Sequence, residues 1–106
     1  MYLGKVVGNL VSVNKHKDYV GLKLLVVQPI HPDGRSWSDP LICVDMVDSG
    51  IGDTVLYLDE GNSARQLLEL GPDSPVRPVI VGVLDELRWR DDAGVLQQRY
   101  PNSGPR

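Results

Sequence analysis

The sequence predicts a small, mostly antiparallel β-barrel, closed or partly open, with one short helix and a C-terminal hairpin. Short Val- and Leu-rich segments recur along the chain, and Gly, Pro and Asp separate them, as is typical of strands joined by turns. Five or six such segments are enough to form a barrel. The length of 106 residues allows one domain over 1–106 and is too short for two.

The predicted strands follow one another in chain order. A polar loop at 31–40 separates the second strand from the third, and the turn Asp48–Asp53 separates the third from the fourth. The tail is predicted as a hairpin, in which Asp91–Gly94 turns the chain into Val95–Tyr100. We expect a barrel core over 1–87 and a variable hairpin and tail over 88–106. The strands are predicted at Tyr2–Val13, Leu22–Gln28, Leu41–Val47, Thr54–Leu58 and from Val79 through Val83 to Trp89.

One short helix is predicted after residue 62. Ser63 and Gln66 have the spacing of a capping box, in which each side chain satisfies a free amide of the first turn. Leucines at 67, 68 and 70 give the helix an apolar side, and Gly71-Pro72 ends it. At about two turns, such a helix is stable only when it packs against the barrel.

Two predicted strands are apolar at successive positions, namely Leu24–Val27 and Val79–Leu84. Neighbouring side chains of a strand point to opposite faces, so these strands need cover on both sides. One short helix cannot provide it. We therefore expect another copy of the chain to cover the second face; the alternative is cover by the chain's own loops and hairpin.

Composition argues against several classes of function. The formal net charge is −3 and aromatic residues make up 6% of the chain, whereas nucleic-acid binders present a basic or aromatic surface. Apolar runs such as Leu24–Val27 are far shorter than the roughly 20 residues of a membrane helix. The single cysteine, Cys43, excludes an internal disulfide. We expect a soluble, cytoplasmic protein with no membrane or nucleic-acid partner.

No catalytic or metal motif emerges from the sequence. Asp45, Asp48 and Asp53 lack the ligand alternation and closing Glu of a calcium loop. His16 and His31 lie in separate polar segments without metal-ligand partners at useful spacing. We therefore expect no cofactor, no metal and no enzymatic activity.

Six blocks of the sequence belong together by their order and spacing. They are Gly4–Gly8, Gly21–Gln28, Val44–Asp45, Gly50–Asp53 with Val55-Leu56, Gly61–Gln66 and Ile80–Asp85. Together they resemble the vertex proteins of bacterial microcompartments, the family of the carboxysome and ethanolamine-utilisation vertex proteins, and they keep the order and spacing of that family over residues 1 to about 87. The chain departs from the family pattern at Ser49-Gly50-Ile51, where Gly-Ala-Gly is usual, at Asn62, where a second Ser is common, and at Arg77-Pro78.

The resemblance implies a barrel similar in outline to an oligonucleotide-binding barrel, assembled as a homopentamer. Its implied role is structural, because pentamers supply the curvature that flat hexameric tiles lack at the corners of a polyhedral shell. The implied partners are hexameric, and possibly trimeric, microcompartment shell proteins. The alternatives are a barrel that binds single-stranded nucleic acid, an enzyme with a site between protomers, and a ring of another size.

The turn before the fourth predicted strand is a candidate lining for an opening on the five-fold axis. Its glycines would let five backbones approach closely around a narrow ring. The alternative is an ordinary β-turn, in which Gly50 and Gly52 supply positive φ and the aspartates bind local amides. The candidate pore-lining residues are Asp48, Ser49, Gly50, Ile51 and Gly52.

Subunit contacts are expected at two further places. The segment around Ser63 is either a contact or simply a capped helix start, and Arg65 either bridges chains or lies on the helix surface. Gly82 is expected in a buried strand where backbones approach closely. The candidate interface residues are Asn62, Ser63, Ala64, Arg65 and Gly82.

Overall fold

A computed structural model describes residues 1–10, 23–59 and 78–101 of the chain. Seven strands occur in this part of the sequence. The predicted helix lies outside the described residues, as do the candidate contacts Asn62, Ser63, Ala64 and Arg65. The strands are β1 (Tyr2–Asn9), β2 (Lys23–Pro29), β3 (Leu41–Asp45), β4 (Thr54–Leu58), β5 (Val79–Val83), β6 (Leu87–Arg90) and β7 (Leu96–Arg99).

Strands β1 to β5 form a closed barrel in the order β1-β2-β3-β5-β4, with β4 returning to β1. The predicted barrel is therefore confirmed. Four of its five strand pairs are antiparallel, and the β3–β5 pair is parallel. That parallel joint comprises two residue pairs, Val44 with Val79 and Asp45 with Ile80.

The core of the barrel is built from alternate residues of its strands. Leu25 and Val27 of β2 point into the interior beside Val6 of the neighbouring β1, while Leu24 and Val26 lie on the outer face and are partly exposed. The apolar run in β2 is thus only half covered within one chain. The buried cluster comprises Val6, Leu25, Val27, Cys43, Val55, Tyr57 and Ile80.

Several predicted strand ends were wrong. The first strand ends at Asn9, with Leu10 outside it, and the second includes Pro29. The third strand ends at Asp45 rather than Val47, because the Asp45 carboxylate accepts hydrogen bonds from the amides of Val47 and Ser49 and turns the chain. The fifth ends at Val83 and does not continue to Trp89. Its partner β4 begins at Thr54, whose carbonyl accepts from the Leu84 amide, so the pairing of β4 with β5 ends there.

The C-terminal hairpin is confirmed as a separate two-stranded sheet of β6 and β7. The Gly94 amide donates to the Asp91 carbonyl at 2.9 Å, and Gly94 adopts φ 80°. The Asp91 carboxylate accepts from the amides of Ala93 and Val95. These hydrogen bonds hold the pKa of Asp91 below its ordinary value.

The loop between β2 and β3 contains a hydrogen-bonded turn at 31–35, which we name the 31–35 turn. The His31 amide donates to the Arg35 carbonyl at 2.7 Å, and the Gly34 amide donates to the His31 carbonyl. The Asp33 carboxylate accepts from the backbone and guanidinium of Arg35, and these bonds lower its pKa.

No helix in the described ranges is long and apolar enough to cross a membrane.

Candidate functional site

The turn at 48–52 joins β3 to β4 and contains all five residues predicted to line a pore; we name it the axial turn. Its closing aspartate, Asp53, accepts a hydrogen bond from the Gly50 amide at 2.9 Å and donates its own amide to the Gly50 carbonyl. The Gly52 amide donates to the Val6 carbonyl, which ties the turn to β1. Asp53 thus binds a local amide, as predicted for the aspartates of this turn.

The carboxylate of Asp45 holds the start of the axial turn through hydrogen bonds. Its side chain is 0% exposed. It accepts from the amides of Val47 and Ser49 and from the Ser49 hydroxyl, at 2.9 to 3.1 Å. Because a carboxylate can accept up to about four hydrogen bonds, three donors and a nearby cation satisfy it well.

Lys23, at the start of β2, supplies that cation. Its ammonium lies 3.3 Å from Asp45 Oδ2 and 3.2 Å from Asp48 Oδ1, and it donates to the Ser49 carbonyl at 2.5 Å. Partial desolvation lowers the pKa of Lys23, but hydrogen bonds to Asp48 and Asp45 and their negative charge outweigh it and raise that pKa. Lys23 therefore stays charged at neutral pH and binds the start of the turn through Asp45, Asp48 and the Ser49 carbonyl.

Positive φ is expected at Gly50 and Gly52 of the axial turn, and the structure has it at Asp48 and Gly52. Gly52 has the positive φ predicted for it, 97°. The second such position is Asp48, at φ 56°, and not Gly50. Asp tolerates this left-handed conformation better than most residues, because its short side chain can bind locally.

Ile51 stands at the tip of the axial turn and is 65% exposed. A Cβ added at Gly50 or Gly52 would meet none of the described residues within 4 Å, so the tip stands clear of that part of the chain. A turn held at Val6, Lys23 and Asp45 yet ending in an exposed β-branched apolar residue is unusual, because exposed turns are normally polar. The chain thus presents an apolar tip on a firmly held support.

No group of three or more His, Cys, Asp or Glu side chains within 1–10, 23–59 and 78–101 could hold a metal ion. Cys43 is fully buried in the core. Burial raises the pKa of the Cys43 thiol to about 12, and the charge of Asp59 adds to the rise. The thiol is therefore protonated at neutral pH and a poor nucleophile.

Comparison with known proteins identifies the family. The sequence model described as ethanolamine utilisation protein EutN/carboxysome matches residues 1–85. The chain belongs to the EutN/CcmL family.

Named relatives of the EutN/CcmL chain are shell proteins. It is 36% identical over 91 residues to the bacterial microcompartment shell vertex protein PduN of Salmonella typhimurium, covering 82% of this chain and 98% of PduN. It is 40% identical over 90 residues to the shell vertex protein GrpN of Rhodospirillum rubrum, covering 80% and 93%.

Solved structures agree with this assignment. An ethanolamine utilisation protein EutN superposes with a TM-score of 0.73 at 33% identity, over 82% of this chain and 88% of that one. The GrpN pentameric microcompartment shell protein from Rhodospirillum rubrum superposes with a TM-score of 0.68 at 35% identity, over 80% and 94%. The resemblance noted in the sequence is therefore confirmed.

Of the predicted contact residues in this EutN/CcmL chain, only Gly82 is described. It lies in β5, paired with Leu56 of β4, and is partly exposed rather than buried. A Cβ added at Gly82 would meet Leu56 side-chain atoms only at 3.9 to 4.0 Å. The close backbone approach expected here does not occur among residues 1–10, 23–59 and 78–101, and the role of Gly82 as a subunit contact stays a prediction.

Sequence reasoning missed Lys23 as a member of the site. Nothing local indicates its role, because Asp48 lies 25 residues further on and only the β2–β3 pairing brings them together. The support from Asp45 had a signal that could have found it. Asp frequently binds the amide two residues later in an Asx-turn, and Val47 stands at that spacing.

Proposed function

We propose that this chain is a structural shell protein, five copies of which form a ring that caps the vertices of a polyhedral bacterial microcompartment. The observation that carries the proposal is the match along 94% of GrpN, whose structure is described as a pentameric shell protein. The role requires no cofactor and no catalytic group. The alternative of single-stranded nucleic-acid binding draws no support from these relatives.

The outer face of the barrel supports assembly. Leu24, Val26, Ile42 and Leu56 lie on this face and are partly exposed. Burying such surface against a neighbour stabilises a complex by about 25 cal/mol per Å². A closed ring uses heterologous contacts, so one patch of each copy meets a different patch on the next.

The proposed partners follow from geometry. Flat hexameric tiles cover a plane, and a five-fold piece at each corner introduces the curvature that closes a polyhedron. We therefore expect hexameric, and possibly trimeric, shell proteins around the ring, within a microcompartment in the cytoplasm.

The ring is tested by native mass spectrometry. We expect a homopentamer of about five times 11.7 kDa at micromolar concentration. Co-expression with a hexameric tile should then give closed corners only when this chain is present, as seen by electron microscopy. A strictly monomeric chain, or corners that close equally well without it, would contradict the proposal.

We further propose that the axial turn lines the opening on the five-fold axis. Identical residues of a cyclic ring approach one another only near the axis, because all other contacts are heterologous. If the five tips meet near the axis, neighbouring Cα atoms at position 51 lie within the roughly 4.4–6.8 Å that a disulfide spans. We therefore expect oxidation of an Ile51→Cys pentamer to pair four of its five thiols. Non-reducing electrophoresis should show covalent dimers and monomers in a four-to-one mass ratio.

The cross-linking experiment has two controls. The unmodified chain carries only the buried Cys43, so it should give no covalent dimer. Ala93→Cys places an exposed thiol on the hairpin turn and should leave the pentamer uncross-linked. If Ile51→Cys forms pentamers without dimers inside them, the axial turn does not lie at the axis.

A further inference from the structure

The axial turn uses most of its polar backbone within its own chain. Three of its amides donate to acceptors of the same chain, namely those of Ser49, Gly50 and Gly52. The Ser49 carbonyl accepts from Lys23, and the Gly50 carbonyl accepts from the Asp53 amide. An ion enters a narrow opening readily only where free polar groups replace its hydration shell. The turn has few such groups to offer.

The side chain that the turn presents at its tip is apolar. Ile51 stands between Gly50 and Gly52, so it carries the only side chain there, and its own chain leaves it 65% exposed. Exposed aliphatic surface is unfavourable in water, and the free energy falls when other apolar groups cover it. The ties of the turn to Val6 and Lys23 hold this side chain in place, so covering it costs little ordering of the loop.

The proposed ring determines which groups meet this tip. With the axial turn at the axis, the neighbours of each Ile51 are the same side chains of the other copies. Cα atoms spaced as a disulfide requires form a pentagon whose corners lie only about 4–6 Å from the axis. Packed carbon atoms are separated by about 3.5–4.0 Å. Five β-branched side chains therefore fill the space and leave no room for a column of water.

We propose that the five Ile51 side chains close the opening that the axial turn lines, and that they seal the vertex against ions and small polar molecules. This inference rests on the proposed pentamer with the axial turn at its axis, and it adds that the opening is shut. An apolar constriction of this kind excludes ions because it excludes the water that they carry.

Methyl NMR of the unmodified pentamer tests whether the tips are dry. The chain contains four isoleucines, of which Ile30 and Ile80 are buried and serve as dry references. With only isoleucine methyl groups labelled, we expect the nuclear Overhauser effect between water and Ile51 to be as weak as at Ile80. The substitution Ala93→Ile adds an isoleucine at the exposed hairpin turn as the wet reference. A water signal at Ile51 as strong as at that position would overturn the inference.

A pair of charge variants tests whether the tips touch. Ile51→Asp would crowd five carboxylates at the axis, whereas Ala93→Asp adds the same charge on the hairpin turn; both positions are exposed in the single chain. Native mass spectrometry over a dilution series should show that Ile51→Asp raises the concentration at which the pentamer dissociates about tenfold or more, because like charges in contact repel and lose hydration. Ala93→Asp should change it less than about threefold.

The outcomes separate the seal from the ring. An Ile51→Asp chain that assembles as well as the Ala93→Asp chain would overturn the inference. If Ile51→Cys still gave covalent dimers inside the pentamer while the Ile51 methyl group met water freely, the axial turn would keep its place and the seal would be wrong. An unmodified chain that never forms pentamers would remove both proposals.

Discussion

Substituting Gly4 by Ala is expected to destabilise the barrel by about 3 kcal/mol, the upper end of the range for overpacking a well-packed core. Gly4 is buried in β1 between β2 and β4. An added Cβ would overlap Val27 Cγ1, and it would lie 3.1 Å from Tyr57 Cε1 and 3.3 Å from the Gln28 carbonyl oxygen. Val27 cannot turn away easily, because it is fully buried and its β-branched side chain has few rotamers. Urea denaturation followed by circular dichroism measures the loss.

Gly8→Ala in the same strand is the matched control. A Cβ at Gly8 would lie 3.6 to 3.7 Å from Val26, an ordinary van der Waals distance. We expect stability to change by no more than about 1 kcal/mol, with a gain favoured because Ala lowers the entropy of the unfolded chain. Equal losses at positions 4 and 8 would show that close packing at Gly4 is not what requires glycine.

Asp45→Ala is expected to have an effect of similar size, a loss of about 3 kcal/mol, the upper end of the cost of leaving a buried polar group unsatisfied. Hydrogen bonds to a charged group contribute about 1.5–3 kcal/mol each, and Asp45 accepts three. Its removal would leave the Ser49 amide without its acceptor in a turn whose Ser49 is buried. Denaturation measures the stability, and the Ile51→Cys cross-linking pattern, in the double variant, reports whether the axial turn keeps its position.

Asp48→Gly separates the buried support from the exposed ion pair. It also removes a carboxylate from Lys23, but the Asp48 side chain is 98% exposed, and exposed ion pairs contribute only about 0–1 kcal/mol. Gly moreover adopts the positive φ of this position without strain. We expect a change within about 1 kcal/mol. If both variants lost the same stability, Lys23 rather than the Asp45 hydrogen bonds would hold the turn.

Much of the fold could be predicted because local signals agreed with it. The fourth strand was predicted with its observed ends, and Asp91–Gly94 with its glycine turned the tail as expected. The fifth strand was extended too far because Leu84, Leu87 and Trp89 continue an apolar pattern. Its end depends on where β4 begins, about 30 residues earlier in the chain, and no local pattern carries that information.

The position of the axial turn could be predicted from the sequence, but the contacts that hold it could not. Glycines and aspartates marked the axial turn, and two of its features depend on contacts distant in sequence. Lys23 reaches it only through the pairing of β2 with β3, and the Val6 carbonyl receives the Gly52 amide only because β1 and β4 are neighbours. The exposure of Ile51 at the tip depends on these two contacts, so no local pattern in the sequence indicates it.

The closure of the barrel has a consequence for how copies can meet. Each of its five strands has a neighbour on both sides, so unpaired backbone in the described barrel is confined chiefly to the joint where β3 and β5 share only two residue pairs. Unpaired rows of backbone are where β-proteins recruit one another into fibres. Away from that joint, we expect copies of this barrel to recognise one another through the shapes and charges of side chains, which substitutions can alter one position at a time.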